Sequence, residues 1–315
     1  MIRGKFLTLI AFLAISLIVS ARSTAQDDQF LMPEESAAKA RQLLNQAIAA
    51  LGGSAYLKMH DASCDGTAST FDHAGELNDF IAVHASREFP DKERIEYIRK
   101  GHKTILQYLA NIEGLEFTSG GIVITVYNGD HAWSYDRSGV NELPADSVKE
   151  FHEQVRRSVE GILRFRLNEP GMTLRYAGAD IVDLKKVDWV ELTDADEHKI
   201  RIAFARDTHL PVRKAVEMRD PNTQLKAEEI EHLSDYHAFD GIETPLQIER
   251  ERNGFKIFDG FYDKCSYNAN LSDALFTKAS LDQRWAQSGK KDAEKQAKAS
   301  KKKDKDKDKD SSSDE

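Results

Sequence analysis

Ten histidines give this chain the raw material for acid–base or metal chemistry, but their neighbours do not complete a site. His152-Glu153 begins the pattern of a zinc hydrolase, in which two imidazoles lie one helical turn apart with a glutamate base between them. Arg156 stands where the second histidine is needed, and a guanidinium has no lone pair to offer a cation. His60, His73, His84 and His102 are scattered over separate segments. His232 and His237 flank the turn before Gly241, where a metal pair is the one remaining option. No GxSxG presents a serine nucleophile. No GxGxxG or GxxxxGK[ST] cradles a phosphate, and no CxxC pair or HExxH holds zinc. Asp180, Asp183, Asp188 and Asp194 supply carboxylates for glycoside hydrolysis only in composition, since they fall at loop or outward strand positions. Trp133 and Trp189 offer flat faces to a sugar, although a buried indole more often serves the core. The residues therefore assign no catalytic group, no metal and no cofactor, and the chain reads as non-enzymatic.

The elements that would position a site are mainly strands. In 199–205, Ile200, Ile202 and Phe204 share one face and Lys199, Arg201 and Ala203 the other. That is the period of a half-buried strand. Asp207 to Pro211 interrupts the pattern, and further strands follow over 212–219 and 225–236, with a turn at Asp220-Pro221-Asn222 between them. Asp240-Gly241 and Asn253-Gly254 mark two hairpin reversals. Antiparallel strands thus fill 173–268. Upstream, strands are expected over 59–71, 79–89, 94–99, 104–109, 122–127 and 132–135, the last two joined by Asn128-Gly129-Asp130. The run Ile122-Val123-Ile124-Thr125-Val126-Tyr127 suits a strand covered on both faces.

Two helices stand out. Residues 36–51 place Ala40, Leu43, Leu44, Ala47, Ile48 and Leu51 at helical spacing, with Ser36 as N-cap and Gly52-Gly53 as the stop. Residues 147–166 read as one amphipathic helix. Ser147 and Glu150 have capping-box spacing, and Pro170-Gly171 ends the segment. Its apolar stripe is Val148, Phe151, Val155, Val159, Ile162 and Leu163. Such a helix either completes an ordinary core or covers an apolar cavity.

Both ends of the chain differ from the middle. Arg3 and Lys5 precede an apolar stretch over 6–21, and Ser23-Thr24-Ala25 suits signal-peptidase cleavage after Ala25. Residues 1–25 are thus expected to direct export and 26–35 to form a flexible amino terminus. Three basic residues and no acid lie in 1–25, so removing them leaves 41 basic and 53 acidic side chains, a net charge of −12. That charge disfavours nucleic acid and anionic lipid surfaces. Residues 286–315 are dominated by Lys, Asp, Glu, Ser and Ala, a composition that cannot bury enough surface to fold. Between the ends, 36–285 is expected to form one β-rich domain. Its two cysteines, Cys64 and Cys265, fall in the first and last predicted strands. They are either a disulfide joining the two ends of the sheet or two buried thiols.

The order of several segments resembles the LolA/LolB-like outer-membrane lipoprotein-sorting family. The first is the amino-terminal helix ending Ala49-Ala50-Leu51-Gly52-Gly53. Next come Asn128-Gly129-Asp130-His131-Ala132-Trp133-Ser134-Tyr135 and Asp207-Thr208-His209-Leu210-Pro211-Val212-Arg213-Lys214. The last is 234–245, from Ser234-Asp235-Tyr236 through Asp240-Gly241 to Thr244-Pro245. The resemblance implies a mainly β (α+β) fold, a strongly bent, incompletely closed antiparallel β-barrel with helices over an apolar interior. It implies a periplasmic carrier or sensor of a lipid or lipoprotein acyl chain, with an envelope protein as a further partner. The interior and its lid would be Trp133, Ile200, Ile202 and Phe204 facing Val148, Phe151, Val155, Val159 and Ile162. The alternatives are a periplasmic interaction or regulatory module with a packed interior, and a secreted hydrolase.

Overall fold

The computed structural model describes residues 31–72, 75–99, 121–219 and 225–288. The expected export signal, the strand expected over 104–109, the turn Asp220-Pro221-Asn222 and nearly all of the charged tail lie outside the described residues.

The chain begins with α1 (Pro33–Ala50) and a short α2 (Ser54–Lys58). Strands β1 (Asp61–Phe71), β2 (Leu77–Glu88), β3 (Lys92–Ile98), β4 (Ile122–Asn128), β5 (His131–Asp136) and β6 (Gly139–Glu142) follow. A helical excursion separates them from a second series. That series comprises β7 (Thr173–Val182), β8 (Lys185–Thr193), β9 (Lys199–Ala205), β10 (Pro211–Arg219), β11 (Lys226–Phe239), β12 (Ile242–Arg252) and β13 (Phe255–Tyr267). These thirteen strands make one unclosed antiparallel sheet in the order β6-β5-β4-β3-β2-β1-β13-β12-β11-β10-β9-β8-β7. The hairpin signals form as expected. Both Asp240-Gly241 and Asn253-Gly254 adopt positive φ at each residue, the conformation a tight two-residue turn requires.

The sheet corrects one expectation. The first and last strands do not form its ends. They pair with each other at its centre, where Cys64 and Cys265 are direct register partners joined by a disulfide. Local sequence marks strands but carries no information on which distant strands become neighbours, so the pairing was open.

Helix boundaries also differ. α1 starts three residues before Ser36, with Pro33 in its first turn, where the missing N–H costs nothing. The Met32 N–H donates to the Glu35 carboxylate at 3.2 Å. Ser36 is buried instead, and its hydroxyl accepts from the Tyr176 N–H at 3.0 Å, tying α1 to β7. The long helix over 147–166 is not continuous. α3 (Ala145–Arg157) is capped by Pro144 with no side-chain cap, so Ser147 and Glu150 do not form a capping box. The break falls at Ser158, whose backbone is extended at φ −68° and ψ 155°. Its hydroxyl donates to the Val155 carbonyl at 2.8 Å and accepts from the Gly161 N–H at 2.9 Å. One side chain therefore closes α3 and opens α4 (Val159–Gly161), which runs into a π-helical turn (Ile162–Arg166). The turn is so tight that a Cβ on Gly161 would lie 2.0 Å from the Val155 carbonyl oxygen.

Both faces of the sheet are covered. Over β8–β10, α1 buries Ala40, Leu44 and Ala47 against Val190, Leu192, Ile200, Ile202, Phe204 and Val216. The end of α1 is held to the β11–β12 hairpin by the Glu243 N–H donating to the Leu51 carbonyl at 3.0 Å. Gly52 permits that approach, since a Cβ there would lie 2.4 Å from the Gly241 carbonyl. On the outer face, the segment after β13 forms a turn (Asp273–Phe276) and α5 (278–288). Phe276 and Leu281 pack there on Ile124, Val126 and Tyr135. This explains why β4 is apolar on both faces.

Candidate functional site

Across β1–β3, β12 and β13 the inner face lies beyond α1, and side chains on it are too small to fill the space. Ala62, Thr67, Ala68, Ala85 and Gly260 form the floor where a packed core would place Leu or Phe. Val83, Ile95, Ile248 and Phe258 form the walls. The result is a cavity of about 260 Å³. The cover comes from the broken helical excursion, through Phe151, Val155, Val159 and Phe165. Phe151 is anchored by stacking on Tyr127, with ring centroids 4.2 Å apart.

The expected site residues fall in four places. Phe151, Val155 and Val159 line the cavity. Val159 and Ile162 pack with Ile200, Ile202 and Phe204 in the core beneath α1, so these three strand residues share the inner face but are filled in rather than open. Val148 is buried without reaching the cavity lining. Trp133 lies elsewhere. It packs with Ile124, Val126 and Phe276 on the outer face, and its ring stacks on His131 at 5.8 Å. Residues on both faces of β5 are buried, so alternation could not settle which face Trp133 takes.

Sequence reasoning missed the charged belt of the cavity. Arg87 pairs with Glu93 across the β2–β3 register. Glu231 accepts from Arg250 Nε at 2.9 Å and meets Lys214 Nζ at 3.1 Å. The Arg87 and Arg250 side chains line the cavity and stay 41% and 38% accessible. Burial pushes the Glu231 carboxyl upward, but Lys214 and Arg250 overcome it and hold the pKa at about 2. The Glu93 carboxylate drives the Arg87 pKa upward against its burial.

Five tyrosines line the cavity, and three of them, Tyr56, Tyr236 and Tyr267, gather near Glu160. Tyr236 donates to the Pro211 carbonyl at 2.7 Å, and Tyr267 pairs with Thr244 at 2.8 Å. Burial, then the Glu160 charge, raises the Tyr56 and Tyr236 hydroxyls well above their ordinary value. Burial likewise pushes Tyr267 up to about 12.

Two groups of side chains have metal-ligand chemistry. Asp194, Asp196 and His198 form one, and Asp194 is already committed to Arg166 at 2.9 Å. His232, Glu249 and Glu251 form the other, brought together by the β11–β12 pairing that sets His232 opposite Glu249. There Lys256 pairs with Glu249, and Arg213 lies 3.4 Å from His232 Nδ1. Cationic side chains thus already engage part of both groups. His237 pairs with Asp235 and takes no part in the second group.

No family model and no curated protein matches this chain. Solved structures do resemble it. A DUF1329 family protein from Desulfovibrio piger is 17% identical, with a TM-score of 0.49, over 77% of this chain and 98% of that one. A putative outer membrane lipoprotein-sorting protein domain from Vibrio parahaemolyticus is 10% identical, with a TM-score of 0.49, over 78% and 99%. A LolA superfamily protein from Nitrosomonas europaea is 12% identical, with a TM-score of 0.48, over 77% and 99%. The structural neighbours are thus LolA-superfamily and lipoprotein-sorting domains together with a DUF1329 protein.

Proposed function

We propose that this protein carries or senses an apolar-chain ligand, a lipid or a lipoprotein acyl chain, in the periplasm, by burial without chemistry. The observation that carries the reading is the cavity floored by Ala62, Ala68, Ala85 and Gly260 and covered by a helix broken at Ser158. Each methylene removed from water contributes about 0.8 kcal/mol, so a chain of modest length is held firmly. The break at Ser158 lets α3 shift relative to α4, and Phe151 and Val155 ride on the moving part. The location is supported by the amino-terminal export pattern and by the Cys64–Cys265 disulfide, which suits an oxidising compartment. No helix among the described residues is long and apolar enough to cross a membrane.

The test is a titration of the delipidated, processed protein with a fluorescent fatty acid and with a tri-acyl lipopeptide. Saturable binding to one site is expected. Absence of saturation with both ligands would reject the carrier. Native mass spectrometry of protein purified from a bacterial host adds a second check. Co-purified lipid supports the reading, whereas an empty protein that captures an envelope protein supports an interaction module instead.

A further inference from the structure

Neighbouring residues alternate between the two faces of the β11–β12 pair. Leu233 and Ile248, register partners, line the apolar cavity. His232, Glu249 and Glu251 therefore point to the opposite face. There they border a separate cleft of about 430 Å³, shared with Asp183, Ser234 and Gln247. One imidazole and two carboxylates converge, with a ligand atom of each within 4.8 Å of the others.

The spacing within this group suits an ion. His232 Nε2 and Glu251 Oε1 stand 3.5 Å apart, beyond the usual length of an N–H···O bond. Nε2 is buried and has no hydrogen-bond partner. Two ligands each about 2.0–2.1 Å from a tetrahedral zinc lie about 3.4 Å from one another. A buried nitrogen without a partner calls for an explanation, and a cation on its lone pair supplies one.

The surroundings fit the same arrangement. A metal-bound imidazole directs its other nitrogen at a carboxylate, which fixes the tautomer. Asp183 Oδ2 lies 3.5 Å from His232 Nδ1. A proton on Nδ1 facing Asp183 leaves the Nε2 lone pair towards the glutamates. Arg213 Nη2 is 3.4 Å from Nδ1 and equally from both Asp183 oxygens, so Asp183 can hold it in that tautomer. Lys256 pairs with Glu249 but also lies 3.5 Å from Asp259, so it keeps a carboxylate when Glu249 turns to an ion. The other group differs. Its Asp194 is fixed by Arg166 and by the backbone N–H groups of Asp196 and His198.

We propose that His232, Glu249 and Glu251 bind a divalent transition-metal ion of the zinc class. Asp183 orients the imidazole, and water from the cleft completes the coordination. An imidazole among the ligands suits zinc or manganese better than calcium, which takes oxygen ligands. The ion fastens β11 to β12 behind the cavity wall, and the site stands independently of the carrier reading.

Calorimetric titration of the chelator-treated, processed protein with zinc chloride tests the proposal. One saturable equivalent is expected, with a melting temperature that rises with zinc concentration. Calcium should not displace it. His232→Gln and Glu251→Gln should each remove that equivalent, and Asp183→Asn should weaken it about tenfold. Asp196→Asn, in the other group, should leave it unchanged. Manganese gives a check that needs no variant, because its paramagnetism should broaden the amide resonances of 230–234 and 247–251 first. No saturable zinc binding would overturn the site. So would an equivalent that survives both His232→Gln and Glu251→Gln, displacement by calcium, or broadening centred elsewhere.

Discussion

Cys64 and Cys265 face each other as register partners on β1 and β13, and their disulfide spans a sequence separation of 201. It fastens the seam between the two halves of the sheet. Replacing both by Ser should lower stability by about 2–4 kcal/mol, because a long loop in the unfolded chain is released. Urea unfolding of the oxidised and double-Ser proteins checks this, and coincident midpoints would contradict it.

Phe151 joins cover to sheet through its ring on Tyr127. Phe151→Glu should destabilise the domain by a few kcal/mol, since the new charge has no partner in that setting. It should also abolish fatty-acid uptake at temperatures where the variant is still folded. A variant that binds and melts like the parent would remove α3 from the role of cover.

These two sites differ in how much of them the sequence revealed. The stripe containing Phe151 and Val155 was legible, because helical spacing is a local property. So were the turns at Asp240-Gly241 and Asn253-Gly254, where residue type dictates the backbone. The break at Ser158 is hidden in the sequence although its signal is present. Ser158 is an ordinary N-cap residue, but the apolar spacing runs past it into Val159 and Ile162 and masks the restart. The cavity itself was illegible. It arises where Ala62 and Ala68 on β1 meet Ala85 on β2 and Gly260 on β13, and small residues reveal a void only once distant strands are placed together.

Glu231 should impose an acid limit on stability. Its folded pKa of about 2 lies below the ordinary 4.5. The stabilisation is therefore fully present above about pH 5 and is lost as pH falls towards 2, on the order of 3 kcal/mol in total. Glu231→Gln should be less stable at neutral pH, where Lys214 and Arg250 lose their counter-charge, and its stability should fall less between pH 5 and 2. Parallel pH–stability curves for parent and variant would count against the pairing.

Asp61 is 1% exposed and holds the segment leading to α5. Its carboxylate accepts from the Ala269 N–H at 2.7 Å and the Leu271 N–H at 3.1 Å. Asp61→Ala would leave both donors without a partner, at a cost of roughly 2 kcal/mol or more. Hydrogen exchange should quicken first at residues 269–281, which carry Phe276 and Leu281 to the outer face. Uniform exchange across the domain would argue against this local role.

The central seam also sets the order in which the molecule can be built. β1 is made first and β13 last, yet each completes the other. Until β13 emerges, the nascent chain holds two separate arms, β1–β6 and β7–β12, each with an unpaired strand edge. Formation of the finished sheet thus waits for nearly the whole domain, a route dominated by distant contacts and expected to be slow. The same arrangement brings the start of β1 beside the end of β13, with Ala62 opposite Tyr267. A circularly permuted chain that keeps α5 and α1 between β13 and β1 and is reopened between β6 and β7 would bring the two seam strands much closer in sequence and should fold faster to the same sheet.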